Sequence, residues 1–164
     1  MKIPRIQPGP NQESVWDYPR PAIAEATSAT LRVEFEGQTI AETTAAIRVL
    51  ETSHPPTYYI PPEDVIRSVL SPNPHRSLCE WKGQARYFDL TIDNRSSELA
   101  CWSYTKPTRA FRSIEGFIAF YPSRVDACFL NGERVRAQAG DFYGGWITRN
   151  IAGPFKGEPG TMNW

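Results

Sequence analysis

The sequence is poor in the residues from which metal and redox sites are built. It has three cysteines and two histidines in 164 residues. Cys79, Cys101 and Cys128 stand 22 and 27 positions apart. An odd count without a C-x-x-C pair excludes a conventional disulfide framework. It also gives no structural zinc site, which wants four ligands, usually in close-spaced pairs. His54 and His75 show no H-x-x-x-H spacing, so no metal and no cofactor is expected. Long apolar runs are missing too. No stretch approaches the roughly 20 apolar residues of a membrane helix. The opening MKIPRIQPGPNQESVWDYPRP lacks the apolar centre of a signal peptide. The expected compartment is the cytoplasm, with the thiols reduced. Excess charge is absent, since eighteen basic residues balance eighteen acidic ones. No block of like charge stands out, so neither nucleic acid nor a membrane is an expected partner. Nucleotide and hydrolase signatures are missing as well: there is no G-x-x-x-x-G-K-[ST] loop, no G-x-G-x-x-G fingerprint and no G-x-S-x-G elbow.

What is abundant is punctuation. Fifteen prolines and eleven glycines cut the chain into short segments, which favours strands and turns over long helices. Residues 1–28 carry five prolines and read as an extended lead-in, which Trp16 and Tyr18 can pin to the body. Residues 29–164 read as one β domain. LRVEF (31–35) alternates apolar and charged residues, the pattern of a half-buried strand, and TIAETT (39–44) returns as its hairpin partner. AIRVLE (46–51), TYYI (57–60), QARYFDLTI (84–92), ELACWSY (98–104), FIAFY (117–121) and RVDACFL (124–130) read as further strands. Asn131-Gly132 is a strong hairpin turn before ERVRA (133–137), since a type I′ turn needs positive φ at both central residues. The best helix is PPEDVIRSVL (61–70), with prolines and acids in its first turn and one apolar stripe. A second helical turn is expected at RAFRSIE. The fold class is therefore mainly β: a compact antiparallel domain, β-tent-like or a small sandwich or barrel, with one or two short helices.

The chemistry concentrates in SLCEWKGQARY (77–87), where a thiol, a carboxylate, an ammonium and an indole fall within four positions. The bland reading is a strand entering a glycine turn, with Cys79 and Trp81 in the core, because free cysteine is among the most buried residue types. The functional reading is a site. Trp102 and Tyr104 share a sheet face by their spacing of two. With Trp81 on a neighbouring strand they would wall a pocket suited to flat or charged ligands; as core aromatics they would do nothing of the kind.

The segments VWDYPRP (15–21), RVLETSHPPTYYIPPEDV (48–65), CEWKGQARYFD (79–89), CWSYTKPT (101–108), GFIAFYPSRVDACFLNGERV (116–135) and DFYGGWIT (141–148) resemble the bacterial family catalogued as domain of unknown function 427. Its most specific element, C-x-[WY]-K-G-x-A-x-Y, is filled by Cys79, Trp81, Lys82, Gly83, Ala85 and Tyr87. The resemblance implies a compact antiparallel β domain of the β-tent kind, seen also in zinc-binding methionine sulfoxide reductases. Those relatives carry paired C-x-x-C motifs, which are missing here. The family sometimes bears a nucleotidyltransferase label. The Gly-Ser pair and spaced acidic residues that such enzymes use to hold magnesium do not occur in this chain, so that activity is not carried over.

The leading expectation is a domain that binds a small anionic or planar molecule. Its ligand-binding residues would be Trp81, Lys82, Tyr87, Trp102 and Tyr104. An alternative makes it a cysteine enzyme, with candidates Cys79, Lys82 and His54, in which Cys79 is the nucleophile and His54 or His75 the base. A third reading is a structural or interaction module without a pocket. A cavity separates the first two readings from the third, and a thiol–histidine hydrogen bond separates the second from the first.

Overall fold

The computed structural model describes residues 3–164; Met1 and Lys2, the first residues of the expected lead-in, lie outside them. Among the described residues the strands are β1 (Glu13–Ser14), β2 (Ile23–Ala26), β3 (Leu31–Phe35), β4 (Gln38–Thr43), β5 (Ile47–Leu50), β6 (Thr57–Tyr59), β7 (Leu70–Cys79) and β8 (Gly83–Ile92). They continue as β9 (Arg95–Ser103), β10 (Ile118–Phe120), β11 (Ala127–Leu130), β12 (Glu133–Arg134), β13 (Arg136–Ala137), β14 (Trp146–Ile147) and β15 (Ile151–Ala152). Three sheets carry the fold, in the orders β12-β11-β3-β4, β10-β9-β8-β7 and β2-β5-β6. Their pairings are all antiparallel; β1 with β15 is a small parallel pair. The protein is mainly β, as its alternation implies.

Two expectations need correction. No sheet closes into a barrel among the described residues, so that form of the β domain is excluded. The short helices are only 3-10 turns. In the segment expected to be a helix, turns at Pro62–Asp64 and Arg67–Val69 flank an extended Val65. Val65 bridges Ala41 of β4, and the Ile66 N–H donates to the Ile40 carbonyl at 2.8 Å. A ten-residue helix is marginal by itself, and the sheet edge claims the backbone groups it would have used. Leu70 then enters β7, which runs on through Pro72 and Pro74. Prolines are tolerated there because β7 is an edge strand and its register with β8 shifts between Asn73 and Arg76.

Local signals were sound where they were strongest. β3 matches LRVEF with Leu31, Val33 and Phe35 buried and Arg32 and Glu34 half-buried. Asn131 and Gly132 take φ of 49° and 81° between β11 and β12, as the hairpin turn requires.

The β10-β9-β8-β7 sheet has an apolar cluster on each face. On one side Leu90, Ile92, Cys101 and Phe120 pack with Leu31, Val33, Phe35 and Ile40 of the β3–β4 hairpin. On the other side Tyr87, Trp102, Tyr104, Ala119 and Tyr121 meet Tyr59 of β6, Phe111 and Ile114. The period of two decides this division: Cys101 and Phe120 point one way, Trp102 and Tyr121 the other. The segment expected as a lead-in contributes β1 and β2. Trp16 Nε1–H donates to the Pro154 carbonyl at 2.9 Å, and Tyr18 packs with Val15, Leu50 and Ile151.

Candidate functional site

A cavity of about 440 Å³ opens over the second of these faces, within the size range of small-molecule sites. Its floor follows from register. Tyr87 of β8 stands opposite Trp102 of β9, which stands opposite Ala119 of β10. The small Ala119 leaves room for the indole, whose ring centre lies 4.5 Å from that of Tyr121. Trp102 Nε1–H donates to the Tyr59 hydroxyl at 3.3 Å. Burial holds the Tyr59 and Tyr104 phenols above their ordinary pKa, so both stay neutral.

The β7–β8 hairpin forms one wall. Cys79 pairs with Gly83, and Glu80, Trp81 and Lys82 make the turn between them. The turn is strapped from outside: Thr108 N–H donates to the Lys82 carbonyl at 3.0 Å, and its hydroxyl donates to the Trp81 carbonyl at 2.5 Å. Trp81 therefore sits in a turn and not on a strand beside β9, yet it still reaches the cavity. The Lys82 Nζ lies 5.9 Å from the Tyr104 ring centre and 5.7 Å from that of Phe111. Lys82 is half-buried and belongs to none of the ion pairs among the described residues.

All the residues named in advance for the ligand site (Trp81, Lys82, Tyr87, Trp102 and Tyr104) line this one cavity, as do Cys79 and His54. His75 does not; it is exposed and stacks edge-on against Tyr87 at 4.8 Å. No hydrogen bond joins Cys79 to either histidine among the described residues, and both ring nitrogens of His54 face other partners. Cys101 and Cys128 are buried in the other cluster, where burial pushes their thiols up.

Several lining residues escaped sequence reasoning. Glu51 follows β5, and its carboxylate faces His54 Nε2 at 3.4 Å. Burial pushes the Glu51 carboxyl up, but the His54 hydrogen bond and the charges of His54, Lys82 and Arg20 outweigh it and hold the group below the ordinary range. Gln138, only 4% exposed, supports His54 from behind: its Nε2 donates to His54 Nδ1 at 3.2 Å and to the Lys156 carbonyl at 2.7 Å. Its Oε1 accepts from the Gly145 N–H at 3.1 Å. The 138–145 loop closes the rim with Phe142, Tyr143 and Gly144. The Tyr121 hydroxyl donates to the Phe142 carbonyl at 3.0 Å, and Arg124 Nη2 donates to the Asp141 carbonyl at 2.6 Å.

The one signal that could have found this loop is its glycine pair. A Cβ on Gly144 would lie 2.3 Å from Trp102 Cη2, and one on Gly145 would lie 2.5 Å from Gln138 Oε1 and 2.6 Å from Pro55 Cγ. The pair serves close backbone approach and not a phosphate loop.

Among the described residues no group of three or more His, Cys, Asp or Glu is placed to hold a metal. No helix among the described residues is long and apolar enough to cross a membrane. A family model described as a domain of unknown function (DUF427) matches residues 23–131. That span holds Glu51, His54 and the β7–β8 hairpin but stops short of Gln138 and the glycine pair. No curated protein matches the chain.

Proposed function

The chain belongs to the domain of unknown function 427 family, and since that membership names no reaction, we propose from the cavity itself that the protein binds a small planar anion. One observation carries this reading. Lys82 is a half-buried ammonium without an ion-pair partner among the described residues, held at the edge of an aromatic-walled cavity. A cation removed from bulk water and left unpaired attracts an anionic group strongly. Arg20 and Lys156 add positive charge to the lining, but each already donates to a carbonyl, of Thr52 and Trp164 respectively. Trp81 and Tyr104 line the cavity and give it aromatic surface suited to a flat ligand. A module without a pocket has no account of this cavity.

A thermal-shift panel of planar carboxylates, namely benzoate, 2-naphthoate and indole-3-propionate, tests the proposal. At saturating ligand, a binder selective for the native state raises the melting temperature. Lys82→Met should melt within about 2 °C of the wild type, because partly exposed substitutions cost within about 0.5 kcal/mol, and should lose the ligand-induced rise. An equal rise in wild type and Lys82→Met, or no rise across the panel, refutes the proposal.

A further inference from the structure

We infer that the ligand of this cavity is a planar zwitterion, an aromatic amino acid in chemical class, whose ammonium meets Glu51 while its carboxylate meets Lys82. This inference rests on the reading above, that Lys82 holds the anionic group of a flat ligand, and adds a second, positive group to that ligand.

The inference starts from Glu51. Its side chain is 23% exposed and lines the cavity. Among the described residues its carboxylate has one side-chain partner, His54. A carboxylate presents about four lone-pair directions, so Glu51 keeps accepting capacity beyond its one side-chain partner. Lys82 and Arg20 stand close enough to favour its ionised form, yet neither forms an ion pair with it. Opposite charges that share one cavity without touching leave space for a ligand that alternates in the reverse sense.

The support behind Glu51 indicates that this carboxylate is aimed. The Gly145 N–H fixes which end of the Gln138 amide is the oxygen, so Gln138 Nε2 must face His54. His54 Nδ1 then accepts, and Nε2, on the other side of the ring, faces the Glu51 carboxylate at 3.4 Å. Gln138 is buried and both its amide N–H groups and its oxygen have partners, so the His54 ring that faces the carboxylate is held from behind. Gly145 and Gly144 are where they are because neither position has room for a side chain. A simple planar anion would bring a negative group into the field of an ionised Glu51. A ligand with an adjacent ammonium removes that repulsion and satisfies both wall charges. The rings of Trp81 and Tyr104 then hold its flat part.

Three probes with one ring separate the possibilities. Tryptophan carries both charges, indole-3-propionate only the carboxylate, and tryptamine only the ammonium. Calorimetric titration of the full chain should give tryptophan an affinity about tenfold or more above either analogue, the scale of one charge-assisted hydrogen bond. Glu51→Gln should bring the tryptophan to indole-3-propionate ratio to about one, by weakening tryptophan and relieving the anion's repulsion. If Glu51→Gln does not fold, the wild-type ratio alone decides. Indole-3-propionate binding as tightly as tryptophan overturns the inference and leaves the planar-anion reading standing. Silence of all three probes overturns the inference, and silence of the carboxylate panel with them overturns that reading too. Tryptamine as the tightest probe overturns both.

Discussion

Replacing Gly144 by alanine should destabilise the protein through a single collision. The new methyl carbon would stand 2.3 Å from Trp102 Cη2 and 2.8 Å from Cζ3. Carbon contacts are optimal near 3.5–4.0 Å, so either the loop or the indole must move by more than an ångström. Neither is free. Trp102 is 7% exposed, hydrogen-bonded to Tyr59, packed on Tyr121 and fixed in register between Tyr87 and Ala119. The loop is tied at Phe142 and Gly145. Overpacking of this kind costs about 1–3 kcal/mol, and the lack of slack puts Gly144→Ala at about 2–3 kcal/mol. At 2–4 °C per kcal/mol for a chain of this length, the melting temperature should fall by about 4–12 °C. Urea unfolding followed by circular dichroism measures the same quantity independently. The cause is tested by a cycle with Trp102→Phe, whose phenyl ring lacks the far edge of the indole. In that background Gly144→Ala should cost less than about 1 kcal/mol, because residues in contact do not add. A change within about 0.5 kcal/mol in the wild-type background, the usual size for an unconstrained surface site, would show that the 138–145 loop does not close over Trp102. Additive costs would show that the indole is not what the methyl meets.

Two further outcomes follow from the electrostatics. Glu51 is held below its ordinary value of 4.5 in the folded state; its contribution to stability is present above that value and is lost as pH falls through the folded one. Glu51→Gln should therefore flatten the acid limb of stability against pH, and identical limbs in chemical unfolding from neutral pH downward would contradict the assigned environment. Glu13 accepts from the Tyr18 hydroxyl at 2.6 Å and from Arg48 Nη1 at 2.6 Å, tying the N-terminal segment to β5. The carboxylate is partly exposed, so screening limits its worth; Glu13→Gln should cost about 1–2 kcal/mol at neutral pH, and no measurable change by urea unfolding would mean that this network does not anchor the segment.

What the sequence by itself determined about this protein is its local geometry. Alternation set which side chains of β3, β8 and β9 share a face, and Asn131-Gly132 set a turn, because both depend on a few adjacent residues. The crowding of Cys79, Trp81 and Lys82 likewise marked one wall of the cavity, since a hairpin turn keeps neighbours in sequence together in space. Tertiary structure alone decided the rest. The stretch of β7 through Pro72 and Pro74 has no local strand signal, because its prolines are permitted only by its position at the sheet edge, and the helix expected at 61–70 gives way to bonds with β4. Glu51 and Gln138 carry no local mark of a site; strand pairing brings the end of β5 to the cavity, and Gln138 reaches His54 only when the 138–145 loop folds back over the aromatic face of the β10-β9-β8-β7 sheet. Which face a side chain takes is set within two residues; which faces meet is set by strand pairing and loop closure across the whole chain.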